Sequence, residues 1–309
     1  MEELKVREDG SEILLYNAPD FPISTDYSCL SIFAGYAAGC HWHRDFEVLI
    51  ALDAPMDYSV NGQHVYLEAG DAIFVNSGRL HYGYSAVYRE CHYCFAVFPP
   101  ELLGMIPAVA SMLEQFSRDS SPDYWLLSAG KEDEKQIIDL IRFLCDHADP
   151  RESLAVLSAC AELIDRLAKM SIKKPDHTAD PDWAVIRRMT GYIQNHYQEK
   201  IRLEDVAAAG AVCRSKCCQL FRDKLHTTPM NYVIRYRLEK ACDLIRNGHS
   251  ITDAAFSAGF QGTSYFSETF RKQYSMSPSS YTKSIHQATE IASDKNLIKN
   301  AACYSDSFV

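Results

Sequence analysis

Residues 203–229 read LEDVAAAGAVCRSKCCQLFRDKLHTTP. Their residue pattern recurs 49 positions later in residues 252–278, TDAAFSAGFQGTSYFSETFRKQYSMSP. This shift places Gly210 on Gly259, Ser215 on Ser264, Phe221-Arg222 on Phe270-Arg271 and Pro229 on Pro278. Each copy predicts a short amphipathic helix, a turn containing glycine, a second helix and then Thr/Ser-Pro. That order is typical of a helix-turn-helix, whose second helix can enter a DNA major groove. We therefore interpret residues 182–284 as a DNA-binding domain with two such motifs.

The second helix of each copy is expected to have an inward and an outward face. At 100° per residue, Cys217, Leu220 and Phe221 share one side of the helix over Arg214–Leu225, with the Lys224 stem at its margin. In the helix over Thr263–Tyr274, Phe266 and Phe270 are the inward residues. The outward residues are Ser215, Cys218, Gln219 and Arg222 in the first helix, and Thr263, Ser264, Ser267, Glu268 and Arg271 in the second. These outward faces are the predicted reading surfaces.

A single long helix over Pro229–Asn247, ended by Gly248, is predicted between the two copies. Its 19 residues span about 28 Å. This length can hold two motifs near the roughly 34 Å spacing of successive major grooves on one face of a duplex.

Charge is divided unevenly along the 309 residues. Residues 182–284 carry 15 Lys/Arg against 9 Asp/Glu, whereas residues 1–181 carry 14 against 29. A basic module joined to an acidic one is expected when only one part of a chain meets phosphate. The 11 scattered cysteines and the lack of a long apolar run or a leader-like start favour a cytoplasmic protein.

The first hundred residues are β-like, and we expect residues 1–100 to form a β-barrel of the jelly-roll type. Asn61-Gly62 predicts a type I′ hairpin, because both central residues of that turn need a positive φ. The predicted strands are Leu30–Ala34, Phe46–Leu52, Tyr58–Val60, Val65–Leu67, Ala72–Val75 and Tyr88–Phe98.

This region contains HWHRDFE, residues 41–47, and further along the chain Gly70, Asn76, Gly78 and His81. The pair resembles the two motifs of the cupin superfamily. On a strand, residues two apart share a face, so His41, His43 and Glu47 can converge and His81 can complete the set from a facing strand. The resemblance implies an effector pocket lined by these four residues. Three imidazoles and a carboxylate also suit Zn, Ni, Mn or Fe, so a divalent metal is an alternative occupant.

Residues 101–172 are predicted to be a helical segment of the N-terminal domain. Leu154, Leu157, Ala161, Ile164 and Ala168 recur at alternating spacings of three and four, as in a heptad seam. We expect this segment to form a homodimer, with a helix pair that covers the barrel as the alternative. Residues 173–181 are interpreted as a linker and residues 285–309 as a disordered tail.

The C-terminal third resembles the DNA-binding domain of the AraC/XylS family of bacterial transcription regulators. The similarity lies in Arg237–Ala241, Ala255-x3-Gly259-Phe260, Ser264-Tyr-Phe266, Phe270-Arg-Lys272 and Ser277-Pro-x-x-Tyr281. The resemblance implies a two-domain α+β regulator, with a small-molecule effector in the barrel, that binds promoter DNA and is commonly an activator. A sugar effector and contact with RNA polymerase are further implications. Carried over by motif position, the base-edge readers are Ser215, Lys216, Cys218, Gln219, Thr263, Ser264, Tyr265, Ser267 and Glu268, and the phosphate contacts are Arg222 and Arg271.

Two other classes of function compete with this interpretation. A metal-dependent cupin enzyme, such as an isomerase or a dioxygenase, would use His41, His43, Glu47 and His81 as ligands, but it leaves the duplicated motif without a role. A purely architectural protein explains neither the histidine motif nor the charge division. We therefore favour a regulator that is not an enzyme.

Overall fold

The computed structural model describes residues 5–6, 11–14, 16–18, 20–118, 121–147, 149–171 and 182–283. They fall into two compact units. The sheet unit contains the described residues of 14–29 and 42–171, and the helical unit contains those up to Ile13, Leu30–His41 and 182–283. The predicted linker at 173–181 and tail at 285–309 lie outside the described residues, so the domain boundaries stay predictions. Among the helices that are described, none combines the length and apolar character needed to cross a membrane.

The sheet unit is built from two antiparallel sheets, and this confirms the predicted fold class of a sheet-rich N-terminal part and a helical C-terminal part. One sheet has the strand order β10-β7-β4-β9-β3 and the other β6-β5-β8, and the described strands do not close into a single barrel. The strands are β3 (Ser24–Cys29), β4 (Phe46–Ala51), β5 (Met56–Val60), β6 (Gln63–Leu67), β7 (Ala72–Val75), β8 (His81–Tyr84), β9 (His92–Phe98) and β10 (Tyr124–Leu127). A separate two-stranded ribbon pairs β1 (Lys5–Val6) with β2 (Glu12–Ile13).

The hairpin prediction is confirmed, since Asn61 and Gly62 have φ values of 47° and 72° between β5 and β6. Two strand predictions are wrong. Leu30–Ala34 contains a 3-10 turn, and the strand lies before it in the polar run of β3. The run from Tyr88 is a strand only from His92, because Ser85–Arg89 form a turn.

Three helices belong to the sheet unit: α1 (Pro107–Ser117), α2 (Glu132–Asp146) and α3 (Ser153–Ser171). Helix α2 packs on strands β3, β4 and β9, and α3 packs on α2. The buried stripe of α3 is Val156, Ala159, Cys160, Leu163, Ile164 and Leu167. The predicted seam coincides with this stripe only in part, because Leu154 is 83% exposed whereas Ile164 is buried. The homodimer stays a prediction. The arrangement matches the alternative, a helix pair that covers a sheet.

Six helices form the core of the helical unit: α4 (Asp182–His196), α5 (Leu203–Ala209), α6 (Arg214–Leu225), α7 (Pro229–Arg246), α8 (Ile251–Ser257) and α9 (Thr263–Tyr274). Helix α7 contacts α5, α6, α8 and α9, so one helix supports both motifs. The helix bounds predicted from the sequence are confirmed for Leu203–Ala209, Arg214–Leu225 and Thr263–Tyr274. The helices predicted over Pro229–Asn247 and Ile251–Ala258 each end one residue earlier.

The turns of the two motifs differ by one residue. Four residues separate α5 from α6, whereas five separate α8 from α9. The left-handed residue is Gly259 in the second turn, with φ 85°, but Ala211 in the first, with φ 55°. Gly210 lies in the first turn, as predicted, but it has a right-handed φ of −78°.

Replacing Ala211 by glycine is expected to stabilise the helical unit by about 0.5–1 kcal/mol. The alanine side chain is exposed, and its Cβ disfavours the left-handed conformation that this turn requires. Urea unfolding monitored by hydrogen exchange of residues 203–246 would measure the change. The matched control is Ala208→Gly, an exposed position inside α5, where we expect a loss of about 1 kcal/mol. Destabilisation by both substitutions would contradict the prediction.

Candidate functional site

The outward faces of α6 and α9 are accessible, as expected for reading surfaces. Ser215, Gln219 and Arg222 of α6 are exposed and Cys218 is half-buried. In α9, Ser264, Tyr265, Glu268 and Arg271 are exposed, whereas Thr263 and Ser267 are half-buried. The opposite sides of both helices are buried in the core through Cys217, Leu220, Phe221, Phe266, Phe270 and Tyr274.

Packing of aromatic rings holds α9 in place. The Phe266 and Phe270 ring centroids lie 5.5 Å apart, and Phe270 is also 5.6 Å from Tyr281. Arg271 follows Phe270 in the chain and is exposed, as Arg222 is after the buried Phe221. In both motifs the buried aromatic ring thus sets the direction of an adjacent arginine.

One predicted reader has a partner inside the helical unit. Lys216 Nζ lies 3.1 Å from Asp182 Oδ2 of α4, and the side chain is partly covered. The sequence analysis did not single out Arg214, which is exposed at the first turn of α6 and pairs with Glu204 at 2.8 Å. Cys213 precedes that turn and provides no side-chain cap. Arg214 is therefore an additional cation next to the reading surface.

The second predicted site lies around Glu47, the second residue of β4. Its Oε2 atom lies 3.2 Å from Nε2 of His43 and 3.2 Å from Nε2 of His81, and its Oε1 atom accepts a 2.6 Å hydrogen bond from the Tyr58 hydroxyl. All four side chains are buried. Of the four predicted residues, His43, Glu47 and His81 each offer a ligand atom here, whereas His41 belongs to the helical unit. Within the sheet unit itself the cluster comprises His43, Glu47, His81 and Tyr58, which we call the Glu47 cluster.

The imidazoles share one hydrogen-bonding pattern. Nδ1 of His43 lies 3.1 Å from the Asp45 carbonyl oxygen, and Nδ1 of His81 lies 2.7 Å from that of Arg79. Nδ1 of His41 is likewise 2.8 Å from the Gly39 carbonyl oxygen, and its Nε2 lies 3.6 Å from Glu12 Oε2. Because a carbonyl oxygen only accepts, Nδ1 is the donor in each ring, which leaves Nε2 to face a carboxylate.

The local backbone explains how the Glu47 cluster is assembled. His43 lies in a loop before β4 and not on a strand, so the predicted alternation of strand faces is wrong for His41 and His43. His81 begins β8, directly after a segment anchored by Asn76 and Arg79. Asn76 Nδ2 donates to the carbonyl oxygens of Phe116 and Pro122 and so fixes this segment.

Electrostatics keep the central carboxyl group ionised. Burial alone would raise the pKa of Glu47, but the charges and hydrogen bonds of His81 and His43 lower it well below its usual value. Burial, reinforced by the Glu47 charge, raises the pKa of Tyr58 well above its usual value, so the hydroxyl remains a donor. The cluster thus combines a buried anion with two imidazole nitrogens and one hydroxyl group.

Comparison with known proteins accounts for both units. Residues 31–164 match the family described as the AraC-like ligand binding domain, and residues 206–284 match a helix-turn-helix domain. The chain belongs to the AraC family of transcriptional regulators. It is therefore an AraC-type DNA-binding regulator that carries a ligand-binding domain.

Relatives of this AraC-family chain align over most of its length. It is 25% identical over 289 residues to the uncharacterized HTH-type transcriptional regulator YdeC of Bacillus subtilis, covering 92% of this chain and 99% of YdeC. It is 23% identical to the HTH-type transcriptional activator RhaS of Klebsiella pneumoniae, covering 76% of this chain and 84% of RhaS. The crystal structure of unsaturated fatty acid-bound ToxT from Vibrio cholerae shares the fold, with a TM-score of 0.50 at 13% identity, covering 87% of this chain and 97% of that chain.

Proposed function

We propose that this regulator binds promoter DNA through the outward faces of α6 and α9, and that a ligand at the Glu47 cluster controls this binding. The observation that carries the DNA-binding proposal is the pair of helices of 12 residues each, with buried aromatic stripes and exposed polar stripes at matching positions. We further propose activation as the sign of control, which is supported by the relatives named as activators.

The proposed contacts follow from side-chain chemistry. Gln219 can pair with adenine through two hydrogen bonds, and Glu268 can accept one from cytosine N4. The remaining base-edge readers are Ser215, Lys216, Cys218, Thr263, Ser264, Tyr265 and Ser267. Arg222 and Arg271 are proposed to bind phosphates and set the register. Lys216 must leave Asp182, or share it with DNA, in order to read a base.

Selection of bound duplexes from a random DNA pool, using the full chain, would test the DNA-binding proposal. We expect two conserved half-sites about 10–10.5 base pairs apart, because recognition helices that read one face of the duplex are separated by one helical turn. Affinity should fall steeply with salt as counterions are released. Enrichment of no sequence, or binding that is insensitive to salt, would count against it.

For the ligand we propose a small polar metabolite with hydroxyl groups, such as a sugar. The ionised Glu47 carboxylate accepts hydrogen bonds from hydroxyl groups, and Tyr58 and the imidazoles provide further polar partners. A buried anion is a poor neighbour for a ligand carboxylate, which argues against a fatty acid at this position.

Replacing His43 or Glu47 by alanine is expected to abolish the response to ligand and to leave basal DNA affinity within about twofold, because both residues lie outside the helical unit. DNA titrations with and without a pool of candidate metabolites would measure both quantities. The control is His64→Ala, an exposed histidine of the same unit that pairs with Asp57 instead. Loss of basal affinity together with the response would indicate unfolding and not a ligand-site defect.

A divalent metal is the second candidate ligand, and the shared Nδ1 pattern favours it. Metal-binding histidines usually donate one ring nitrogen to a carbonyl or carboxylate group and ligate through the other. His41, His43 and His81 satisfy this condition, and Glu47 supplies the oxygen ligand. A bound Zn²⁺ or similar ion would neutralise the buried carboxylate and act as a Lewis acid. Elemental analysis of the purified chain, with Glu47→Gln as the comparison, distinguishes the metal from a metabolite.

The remaining parts of the proposal concern partners and enzyme activity. We infer that the chain is not an enzyme, since the relatives with which it aligns are regulators. Homodimer formation and contact with RNA polymerase are also proposed. The exposed Leu154 on α3 is the feature that supports a partner surface there. Cytoplasmic location is proposed as the compartment in which promoter DNA is found.

A further inference from the structure

The two glycines that align in the repeat, Gly210 and Gly259, both approach helix α4 closely. A Cβ atom at Gly210 would lie 2.7 Å from Cγ of Met189 in α4. A Cβ atom at Gly259 would lie 2.5 Å from the carbonyl oxygen of Tyr197, the residue that directly follows α4. Because a real Cβ atom does not come this close to another heavy atom, both turns need glycine for space.

The first motif is held along the length of α4. Helix α4 packs against both α5 and α6. Arg188 of α4 donates a 3.2 Å hydrogen bond from Nη2 to the carbonyl oxygen of Gly210. Gly210 has a φ of −78°, which any residue can adopt, so the close approach to α4 is what requires glycine there. Helix α4 and the first motif therefore form one packed group.

The second motif is joined to this group through Arg237 of α7. Arg237 Nε donates a 2.7 Å hydrogen bond to the carbonyl oxygen of Tyr197, and Nη2 donates a 2.6 Å hydrogen bond to that of Glu199. A Cβ atom at Gly259 would lie 3.1 Å from Arg237 Nε, so the guanidinium group lies against the second turn. The rings of Tyr197 and Tyr236 also meet edge-on, with centroids 5.4 Å apart. We call Tyr197, Glu199, Arg237 and Gly259 the α4 joint.

The α4 joint connects the two motifs a second time. Helix α7 joins them along the chain, but hinges in proteins are commonly residues at the ends of elements, such as those before Pro229 and after Arg246. Hydrogen bonds donated by a guanidinium group are stronger than those between neutral groups. Turning α9 relative to α6 about the ends of α7 would break the joint, so the joint makes the pair of reading helices rigid.

We propose that Arg237 is a positioning residue for DNA recognition, and that the α4 joint sets the spacing of half-sites that the chain accepts. The proposal rests on the proposed reading faces of α6 and α9, but it concerns their mutual orientation and not their contacts. One added base pair rotates a half-site by about 34–36° and moves it by about 3.4 Å. A rigid pair of helices cannot follow this change, so the wild type should bind the shifted site about tenfold more weakly, as for one mismatched base pair.

Affinities of the full chain for three duplexes test the joint. They are the selected site, the same site with one base pair inserted between the half-sites, and a site with the second half-site scrambled. In Arg237→Met, the preference for the selected site over the shifted one should fall from about tenfold to below about threefold, because α9 can then adjust. Affinity for the duplex with one half-site should stay within about twofold, since the reading faces are unchanged. A variant that was merely less stable would lose the same factor on all three duplexes and keep the wild-type preference.

Arg235→Met is the matched control. Arg235 is also a half-buried arginine of α7, and its ion pair with Glu239 at 3.6 Å lies within α7 itself, so this variant should keep the wild-type preference. Arg237→Lys keeps the charge and one donor and should give an intermediate preference, and it decides the question if Arg237→Met does not fold. A wild-type preference in folded Arg237→Met, or in Arg237→Lys where the methionine variant is unfolded, would overturn the joint. A wild type without sequence-selective binding would instead overturn the proposed reading faces, and the role of Arg237 would fall with them.

Discussion

Replacing Arg79 by methionine is expected to lower the free energy of unfolding of the sheet unit by about 3–5 kcal/mol, since a buried charge network loses its centre. Arg79 is 2% exposed, and its guanidinium group donates to Asp123 Oδ1 and to four carbonyl oxygens, those of Ser77, Ser117, Arg118 and Ser121. Methionine fills similar volume but leaves these acceptors unpaired. Chemical denaturation followed by tryptophan fluorescence would report the loss, because Trp125 is buried in the same unit.

The same substitution at Arg151 is the control for Arg79→Met. The Arg151 side chain is 89% exposed and pairs with Asp149, two residues away, so we expect little change in the free energy of unfolding. The Arg79 carbonyl oxygen also accepts from His81, so the variant should weaken the ligand response as well as the fold. Equal stability of the Arg79 and Arg151 variants would show that the Arg79 network contributes little.

Local signals explain why the helical unit was predictable. The bounds of α5, α6 and α9 agree with the sequence prediction because each has an apolar stripe at helical spacing, and Pro229 and Gly248 mark the ends of α7. Gly210 and Gly259 both lie in the predicted turns, but the left-handed position falls on Ala211 in the first turn and on Gly259 in the second. A residue-level match therefore predicted helices better than it predicted turns.

The sheet unit was less predictable because its elements depend on long-range contacts. The apolar run at Leu30–Ala34 satisfies a strand pattern, but it packs in the helical unit as turns. In α3, residues 154–168 fit a heptad, but packing against α2 selects the stripe that begins at Val156. The periodicity alone does not distinguish between two stripes that share apolar residues.

Most residues of the ligand cluster were predictable from the sequence, but the residues that hold them in place were not. The sequence spacing grouped His43, Glu47 and His81, which lie around one carboxylate in the sheet unit, whereas His41 lies in the helical unit and its part in a ligand site stays a prediction. Tyr58 was not predicted as a cluster member, because its place in β5, two residues after Met56, is typical of an ordinary core residue. Arg79 was missed because nothing local shows that its partners come from residues 117–123.

Replacing Arg222 and Arg271 together by glutamine is expected to weaken DNA binding about 100-fold at physiological salt, with about tenfold from each site. Both side chains are exposed and follow a buried phenylalanine, so their loss removes charge without disturbing the core. The slope of log affinity against log salt should fall by about one for each arginine, while the preferred sequence stays the same. Fluorescence anisotropy over a range of salt concentrations would measure both.

Gln219→Ala provides the contrast that separates phosphate contact from base reading. It removes no charge, so the salt slope should remain unchanged while discrimination at one base pair falls by about 1–3 kcal/mol. Lys272→Gln is the matched charge control, because Lys272 is an exposed cation next to Arg271 that is not among the proposed contacts. If Lys272→Gln lowers the salt slope as much as Arg271→Gln does, the attraction to DNA is a property of the whole basic face and the proposed register of α9 is wrong.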